Sequence, residues 1–205
     1  MKVSLVDYGA GNLPSVERAL QRLGVHTERL CTSAGLAKAS VLILPGVGHY
    51  GALIRALDRD GLRESLIAAI ERGVPFLGIC LGLQALFESS EEASDLQGLQ
   101  ILPGSVCVLS GAVKLPHMGW DQLEVKGESR LLEGIDSTAY FYFAHSYAAP
   151  YRTEESVLET RATCLYGGEF VAVTEKANVF AVQFHPEKSG DAGRRVLENF
   201  LRIAA

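Results

Sequence analysis

The sequence predicts an α/β fold with an open, mainly parallel sheet, flanking helices, and a smaller antiparallel or mixed sheet region in the C-terminal half. Three observations lead to this prediction. Apolar runs typical of buried strands alternate with helical patterns through the first half of the chain. Glycine-rich turns follow several of these runs, as loops do where they leave parallel strands. Short strand-like segments with few helical patterns between them make up most of the second half.

In the first half, the predicted strands lead through turns toward helical patterns. These strands are Lys2–Val6, Val25–Leu30, Val41–Leu44 and Phe76–Ile79. The apolar faces of the predicted helices consist of Leu13, Val16, Leu20 and Leu23, and then of Leu53, Ile54, Leu57, Leu62, Leu66 and Ile70. Gly24 and Gly73 follow these patterns, and glycine commonly ends helices. The alternation predicts βα units and parallel strand pairing.

In the second half, strand-like segments dominate. They are Ile101–Leu109, Gln122–Val125, Tyr140–Phe143, Val157–Thr160, Phe170–Thr174 and Val179–Phe184. Cys107 and Cys164 lie in or beside these segments and are interpreted as core residues. Asp191–Ile203 has the pattern of a closing helix, with Asp191 as its N-cap. Short strands of this kind predict antiparallel or mixed pairing at one side of the sheet.

Length and composition favour one globular domain, residues 1–205. Apolar residues make up 48% of the chain, enough for a substantial core. A net charge of −5 without a basic cluster argues against nucleic acid and anionic membranes as partners. No apolar stretch approaches the ~20 residues of a membrane span, and the N-terminus does not resemble a signal peptide. The four cysteines are widely separated, which argues against zinc and disulfides and favours a cytoplasmic protein.

The stretch Val74–Phe87 carries the strongest functional signal. A short apolar strand ends in Gly-Ile-Cys-Leu-Gly, residues 78–82, and a helical pattern with Leu83 and Leu86 on one face continues to residue 87. Gly-x-Cys-x-Gly between strand and helix is the thiol counterpart of the nucleophile elbow, which exposes its central side chain at a tight turn. A helix N-terminus also favours a thiolate. Cys80 is therefore a candidate nucleophile, and the alternative is an ordinary buried cysteine.

A cysteine nucleophile needs a base, and His185 is the best candidate among the five histidines. It follows the predicted strand Val179–Phe184 and begins the sequence His-Pro-Glu. The proline favours extended backbone at His185, and side chains two positions apart then project to the same side. Glu187 can therefore reach the imidazole and fix its tautomer, as the acid of a triad does.

A glycine-rich loop after the third predicted strand adds backbone donors to this region. Gly46, Val47 and Gly48 belong to it, and loops of this composition can present N–H groups to an anion. In a parallel sheet this loop, the turn at residues 7–12 and the Cys80 turn all meet at the carboxyl edge. The sequence therefore predicts a single site at that edge.

The segments around Cys80 and His185 resemble the class I (triad) glutamine amidotransferase family. Further segments resemble, within that family, the glutaminase subunits of imidazole glycerol phosphate synthase. These segments are residues 7–13 (Asp-Tyr-Gly-Ala-Gly-Asn-Leu), 44–48 (Leu-Pro-Gly-Val-Gly), 116–120 (Pro-His-Met-Gly-Trp) and 140–147 (Tyr-Phe-Tyr-Phe-Ala-His-Ser-Tyr). The similarity spans the chain from Asp7 to the final helix. One departure is Asp121, where the family pattern implies asparagine.

The resemblance implies hydrolysis of glutamine to glutamate and ammonia by a triad of Cys80, His185 and Glu187. It also implies that the backbone N–H groups of Leu81 and Val47 hold the oxyanion of the intermediate. The residues it implies against the glutamine substrate are Gly46, Gly48, Gln84, Glu92, Ser146 and Tyr147. Neither a metal nor a cofactor is expected.

A partner subunit is implied as well. In the family the ammonia passes to a (β/α)8-barrel cyclase, which forms imidazole glycerol phosphate and an aminoimidazole carboxamide ribonucleotide in histidine biosynthesis. The resemblance thus implies a heterodimer, with His117, Trp120, Tyr142 and Lys188 toward the cyclase. The segment around Trp120 is predicted to be a loop. Activity of the isolated chain is expected to be low.

Other functions stay open on the sequence alone. A glutaminase subunit of another synthase, or a related cysteine hydrolase or peptidase, would share the elbow and the histidine. A peptidase would need neither Gln84 nor the His117–Trp120 segment. A binding module without catalysis is the third class, and the presence of all three triad residues argues against it.

Overall fold

The computed structural model describes residues 1–151 and 159–205. The elements of its first half are β1 (Lys2–Val6), α1 (Leu13–Arg22), β2 (His26–Leu30), α2 (Ser33–Leu36), β3 (Leu42–Gly46), α3 (Tyr50–Arg59), α4 (Leu62–Glu71), β4 (Phe76–Cys80) and α5 (Leu81–Gln84). Those of its second half are β5 (Ser89–Ser90), β6 (Ser105–Val108), β7 (His117–Gln122), β8 (Glu124–Val125), β9 (Tyr140–His145), β10 (Tyr147–Ala148), β11 (Thr160–Tyr166), β12 (Gly168–Lys176), β13 (Val179–Val182) and α6 (Gly190–Ile203). Short 3₁₀ turns span Glu91–Ala93 and Pro186–Lys188.

The main sheet has the strand order β2-β1-β3-β4-β13-β12-β11-β8. The first five strands in this order pair in parallel, and the last three continue the sheet antiparallel. Two smaller sheets stand apart, one with the order β10-β6-β5 and one made of β7 and β9. The predicted fold class, a mainly parallel sheet with a smaller mixed region from the second half, is confirmed.

Both faces of the main sheet are covered at its centre, which explains why the parallel strands β3, β4 and β13 are apolar runs. On β3, Leu42 and Leu44 belong to the hydrophobic cluster formed with α3 and α4. Ile43, between them, belongs to the opposite cluster, which includes the apolar faces of α1 and α6. Within residues 1–151 and 159–205, no helix combines the length and apolar character that crossing a bilayer requires.

Parallel pairing brings three functional segments to one edge of the sheet. Cys80 is the last residue of β4, and Gly46 at the end of β3 is its partner in the register. On the other side of β4, β13 ends at Val182, three positions before His185. The nucleophile candidate, the glycine loop and the candidate base therefore converge because their strands share a direction.

Several predicted elements differ from the structure. The long helical pattern over residues 53–70 is two helices, because Gly61 adopts φ +63° and ends the first. The helix after Cys80 ends at Gln84, and the main chain of residues 99–102 bonds to the carbonyls of residues 85–87. Asp191 is not an N-cap, because the last helix begins at Gly190 and Ser189 precedes it.

The segment Pro-His-Met-Gly-Trp, predicted to be a loop, forms most of β7. It pairs antiparallel with β9 in a register that places His117 opposite His145 and Trp120 opposite Tyr142. The first two residues of the predicted strand Val157–Thr160 lie outside the described residues, and β11 begins at its last residue. The turn at Leu102-Pro103-Gly104 delays β6 to residues 105–108.

Candidate active site

Cys80 occupies a strained turn between β4 and α5. Its φ of 53° and ψ of −105° lie in a region that residues with a side chain rarely adopt. Glycines permit the turn: a Cβ on Gly82 would lie 1.9 Å from the carbonyl oxygen of Leu44, and one on Gly78 would lie 2.7 Å from that of Gly82. Helix α5 therefore packs directly against the sheet, and the Cys80 side chain is held in one orientation.

His185 and Glu187 form a buried pair beside Cys80. Nδ1 of His185 lies 2.9 Å from Oε1 of Glu187, and each side chain is only 2% exposed. Burial lowers the pKa of His185, but hydrogen bonds with Cys80 and Glu187 outweigh burial and raise this pKa well above its ordinary value. The imidazole is therefore held in its protonated form between the sulfur and the carboxylate.

Backbone contacts fix the position of the His185 ring. The His185 N–H donates to the carbonyl oxygen of Tyr142 at 2.9 Å. The hydroxyl of Ser189 donates to the His185 carbonyl at 2.7 Å and accepts from the Tyr142 N–H at 3.0 Å. The base is thus tied to the middle of β9 by three hydrogen bonds. Ser189 could not be predicted from its sequence neighbourhood, because its role depends on this contact with a distant strand.

Two buried amide side chains lie near the sulfur of Cys80. Nε2 of Gln183 is 3.5 Å from Cys80 Sγ. Nε2 of Gln84 donates to Oε1 of Gln183 at 3.2 Å and to the carbonyl oxygen of Tyr147 at 2.8 Å. Gln84 was predicted at this site from the sequence, whereas Gln183 was not. A polar residue within an apolar run, two positions before His185, was the signal that could have identified it.

A small cavity opens beside Cys80 and contains most of the residues expected at the substrate. It is lined by Val47, Gly48, Cys80, Leu81, Gln84, Glu92, Ala144, His145, Ser146 and Tyr147. Gly46 is buried at the base of the glycine loop, where a Cβ would approach the Leu81 Cβ to 2.6 Å. The predicted site residues of the first half and of β9–β10 are therefore brought together around the nucleophile candidate.

Val47, one of the two expected oxyanion donors, lies beside a buried phenol. Burial raises the pKa of Tyr8 to about 12, and the nearby Val47 N–H offsets part of this effect. Tyr8 Oη nevertheless makes no hydrogen bond of normal geometry within the part of the chain that the structure describes. The Val47 N–H is therefore close to a hydroxyl that competes for it.

Glu92 binds the N-terminus of α3, the helix that follows the glycine loop. Its Oε2 accepts a 2.6 Å hydrogen bond from the N–H of Tyr50, the first residue of α3. A carboxylate at this position is favourable because the N-terminus of a helix carries partial positive charge. Glu92, expected to contact the glutamine substrate, thus also stabilises the helix that follows the loop.

His145 also borders the cavity, but in a neutral form. Its Nδ1 lies 2.9 Å from the carbonyl oxygen of Tyr147, which can only accept, so Nδ1 carries the proton. Burial is the main reason that the pKa of His145 is lowered to about 3. In residues 1–151 and 159–205 no group of three His, Cys, Asp or Glu side chains is arranged to hold a metal ion.

The outer face of β7 and β9 presents exposed aromatic and apolar side chains. Trp120 is 54% exposed and packs edge to face on Tyr142, with ring centroids 5.8 Å apart. Nζ of Lys188 lies 5.4 Å from the centroid of the Tyr142 ring, on which a cation is favourable. Met118 on β7 is also largely exposed. Three of the four residues predicted to face the partner thus form one surface.

His117, the fourth of these residues, is not on that surface. Its ring is buried and stacks on Tyr166, with centroids 4.0 Å apart, and on Phe143. Nε2 of His117 lies 3.5 Å from a carboxylate oxygen of Asp121, the residue that departs from the family pattern. Asp121 therefore interacts with the interior of the hairpin.

Comparison with known proteins identifies the family. The model of the class-I glutamine amidotransferases matches residues 4–204. Imidazole glycerol phosphate synthase subunit HisH of Methanothermobacter thermautotrophicus is 44% identical over 201 residues, covering 98% of each chain. Imidazole glycerol phosphate synthase hisHF, chloroplastic, of Arabidopsis thaliana is 43% identical over 201 residues, covering 97% of this chain and 34% of the plant protein.

A solved structure described as a glutamine amidotransferase has the same fold. It superposes with a TM-score of 0.77 over 98% of each chain, at 22% sequence identity. Together with the full-length match to HisH subunits, these similarities leave no ambiguity about ancestry. The chain belongs to the class I glutamine amidotransferase family, in the group of the HisH subunits of imidazole glycerol phosphate synthase.

Proposed function

We propose that this chain hydrolyses glutamine to glutamate and ammonia, as the glutaminase subunit of an imidazole glycerol phosphate synthase. The observation that carries the proposal is the set of three side chains at the sheet edge. Cys80 stands at a strained turn against a buried His185, and Glu187 orients that ring through a 2.9 Å hydrogen bond. The names of the HisH relatives support the choice of synthase.

Acylation starts from the thiolate of Cys80. The sulfur attacks the side-chain carboxamide carbon of glutamine, and the C=O oxygen becomes an oxyanion. The His185 imidazolium then donates its proton to the leaving nitrogen, so that the C–N bond breaks and ammonia departs. A γ-glutamyl thioester on Cys80 and a neutral imidazole remain. Glu187 stabilises the imidazolium before transfer and keeps Nε2 directed at the reacting atoms.

Deacylation uses the same base in the opposite sense. Neutral His185 removes a proton from water, and the resulting hydroxide adds to the thioester carbon. Collapse of this second intermediate breaks the C–S bond and releases glutamate and the Cys80 thiolate. His185 keeps the proton taken from water and is therefore again an imidazolium when the next glutamine binds.

Backbone donors would stabilise the oxyanion in both steps. The N–H of Leu81, directly after the nucleophile, and the N–H of Val47 in the glycine loop are the proposed pair. Because the Val47 N–H lies beside Tyr8, we propose that the loop reorients before both donors converge. Loss of one such donor typically raises the barrier by about 3 kcal/mol, so we expect low activity while the loop keeps its present position.

The ammonia is proposed to pass to a cyclase subunit with a (β/α)8 barrel. The plant relative supports this pairing, because its name joins both parts and this chain matches only 34% of its length. The exposed surface of Trp120, Tyr142 and Lys188 is the proposed contact, and it lies one residue layer from the catalytic base, with Tyr142 and His185 ring centroids 6.4 Å apart.

Replacing the sulfur tests the division of labour. We expect Cys80→Ser in the complex with a barrel subunit to lose glutamine-dependent turnover by a factor of at least about 10³, because a hydroxyl is not ionised at neutral pH. Ammonia-dependent turnover should be unchanged. Both rates are measured as imidazole glycerol phosphate formation, with Cys31→Ser, at an exposed position, as the matched control.

Equal loss of the glutamine-dependent and ammonia-dependent rates would contradict the proposal, because it would show that Cys80 is needed for the integrity of the complex rather than for ammonia production. Hydrolysis of peptides by the wild-type chain without ammonia release from glutamine would favour the cysteine-hydrolase alternative. Glutamate release is therefore measured on the same samples, with and without the barrel subunit and its nucleotide ligand.

A further inference from the structure

We propose that Gln183 is a further catalytic residue, whose side-chain N–H donates to the sulfur of Cys80 and stabilises the thiolate. The inference deepens the proposed function and rests on Cys80 being the nucleophile. It concerns a residue that lies outside the triad and outside the oxyanion loop, at the end of β13 between Val182 and His185.

The contact is direct and fully enclosed. Gln183 is 0% exposed, and its Nε2 lies 3.5 Å from Cys80 Sγ, a normal separation for a hydrogen bond to sulfur. Its main chain is fixed as well, because the Gln183 N–H donates to the carbonyl of Ala172 at 2.9 Å. No solvent reaches the amide, so a hydrogen bond to a charged acceptor is stronger there than in water.

The orientation of the amide follows from the neighbouring bonds. The carbonyl oxygen of Tyr147 can only accept, so the end of the Gln84 side chain 2.8 Å from it must be the NH2 group. The second hydrogen of that group is directed to Gln183 at 3.2 Å, and the atom receiving it must therefore be the carbonyl oxygen Oε1. The NH2 group of Gln183 is then left to face the sulfur. The backbone carbonyl of Tyr147 thus fixes the orientation of both amide side chains, Gln84 and Gln183.

A donor at this position acts on the charged form of the sulfur. A thiolate accepts a hydrogen bond more strongly than a thiol or a thioester, so the Gln183 amide stabilises the thiolate and loses its strongest interaction on acylation. It regains that interaction when the C–S bond breaks and the thiolate leaves. His185 moves protons, whereas Gln183 holds its own protons and supplies only a dipole.

Alkylation of Cys80 measures this effect without any substrate. The probe is iodoacetamide, and the Cys80 peptide is followed by mass spectrometry as a function of pH in the wild type, Gln183→Met and Gln183→Glu. We expect the apparent pKa of Cys80 to rise by about one pH unit in Gln183→Met, because the donor is lost. We expect a larger rise in Gln183→Glu, where a carboxylate faces the sulfur. Gln97→Met, the same change at an exposed position, is the control.

Kinetics of the complex provide a second readout. At neutral pH we expect Gln183→Met to lower kcat for glutamine by about tenfold while KM and ammonia-dependent turnover stay unchanged, because a one-unit pKa change removes up to about nine tenths of the thiolate. Gln183 touches the nucleophile and not the substrate cavity, so binding of glutamine should be preserved.

The inference is tested by the order of the two variants, because the apparent pKa of Cys80 should rise more in Gln183→Glu than in Gln183→Met. A merely structural role predicts similar damage from both substitutions, seen as a lower melting temperature with an unchanged alkylation profile. That result, or unfolding of both variants, would overturn the inference. Failure of the proposed function is recognised separately, as glutamine hydrolysis that persists in Cys80→Ser, and the pH profile of Cys80 alkylation does not depend on it.

Discussion

Two buried histidines in this molecule have pKa values displaced in opposite directions. His185 faces Cys80 and Glu187, and these hydrogen bonds outweigh burial and raise its pKa. His145 faces a carbonyl oxygen and two other histidines, so burial dominates and lowers its pKa to about 3. The same side chain is therefore kept charged where a proton must be delivered and neutral where a second charge would repel the first.

The neutral histidine makes the fold sensitive to acid. The unfolded chain takes up a proton on this imidazole below pH 6.5, whereas the folded chain does not until about pH 3, so stability falls as the pH drops below 6.5. We expect the free energy of unfolding of wild type, measured with urea, to fall by about 1.4 kcal/mol more between pH 7.5 and 5.5 than that of His145→Gln.

His26→Gln, at an exposed strand position, is the matched control and should follow the wild-type curve. The raised pKa of His185 does not blur the comparison. Its contribution to stability is fully present below pH 6.5 and is lost progressively as the pH rises from 6.5 toward the raised value, but both proteins contain His185, so this contribution cancels in the difference. Parallel curves for wild type and His145→Gln would contradict a neutral His145.

The residues of the proposed triad stand out in the sequence because each lies in a motif that is readable over a few positions. The glycines around Cys80 and the proline after His185 constrain the backbone locally. Gln183 and Ser189 were missed for the opposite reason. Gln183 meets Cys80 across 103 positions of sequence, and Ser189 meets Tyr142 across 47, so their importance exists only in the folded chain.

At the scale of elements, the close contact between α5 and the sheet shapes the site. Residues Gly46 and Cys80 are paired in the register of β3 and β4, and α5 begins directly at the nucleophile. There is no room between this helix and β3 for a side chain at Gly82, since its Cβ would overlap the carbonyl oxygen of Leu44. The elbow is therefore as much a packing feature as a catalytic one.

Adding a single methyl group at the elbow should strongly lower the stability of the fold. We expect Gly82→Ala to destabilise the chain by about 3 kcal/mol or more, because helix and strand must separate to admit the Cβ. Thermal unfolding followed by circular dichroism measures the change. Gly127→Ala is the control, since a Cβ there meets no atom within 4 Å. Equal melting temperatures for the two variants would show that α5 can move away without cost.

The parallel strands β3, β4 and β13 were predicted well because burial on both faces makes them continuous apolar runs. The strand β7 was not predicted, because its buried His117 is followed by the exposed Met118 and Trp120 and because it contains a glycine. Its partner β9 supplies the pairing and the aromatic rings that accommodate His117. A sequence pattern cannot reveal such a polar core position, since its neighbours are contributed by distant segments.

At the scale of the whole molecule, β9 joins two functional regions. Its inner side chains Phe143 and His145 belong to the buried hairpin interior beside the catalytic edge, and its outer Tyr142 belongs to the aromatic surface. That residues 1–205 form one domain stays a prediction.

The aromatic surface should dominate the affinity for the barrel subunit. We expect Trp120→Ala to weaken binding by about 2 kcal/mol, or about thirtyfold in Kd, because large exposed aromatic residues at interface centres lose the most on truncation. Isothermal titration calorimetry with the purified barrel measures Kd. Val108→Ala, at another exposed apolar position on β6, should bind like wild type. Unchanged affinity in Trp120→Ala would mean that the contact lies elsewhere.

Through its hydrogen bonds to Tyr142 and to His185, Ser189 links the outer surface of the protein to the candidate active site. With their ring centroids 6.4 Å apart, a phenol on the outside and an imidazole on the inside sense each other's electric field. A fluorine atom introduced into the Tyr142 ring would therefore register, as a change in its resonance frequency, each gain or loss of the proton on His185. Turnover could then be watched from the surface, without a label on either reactant.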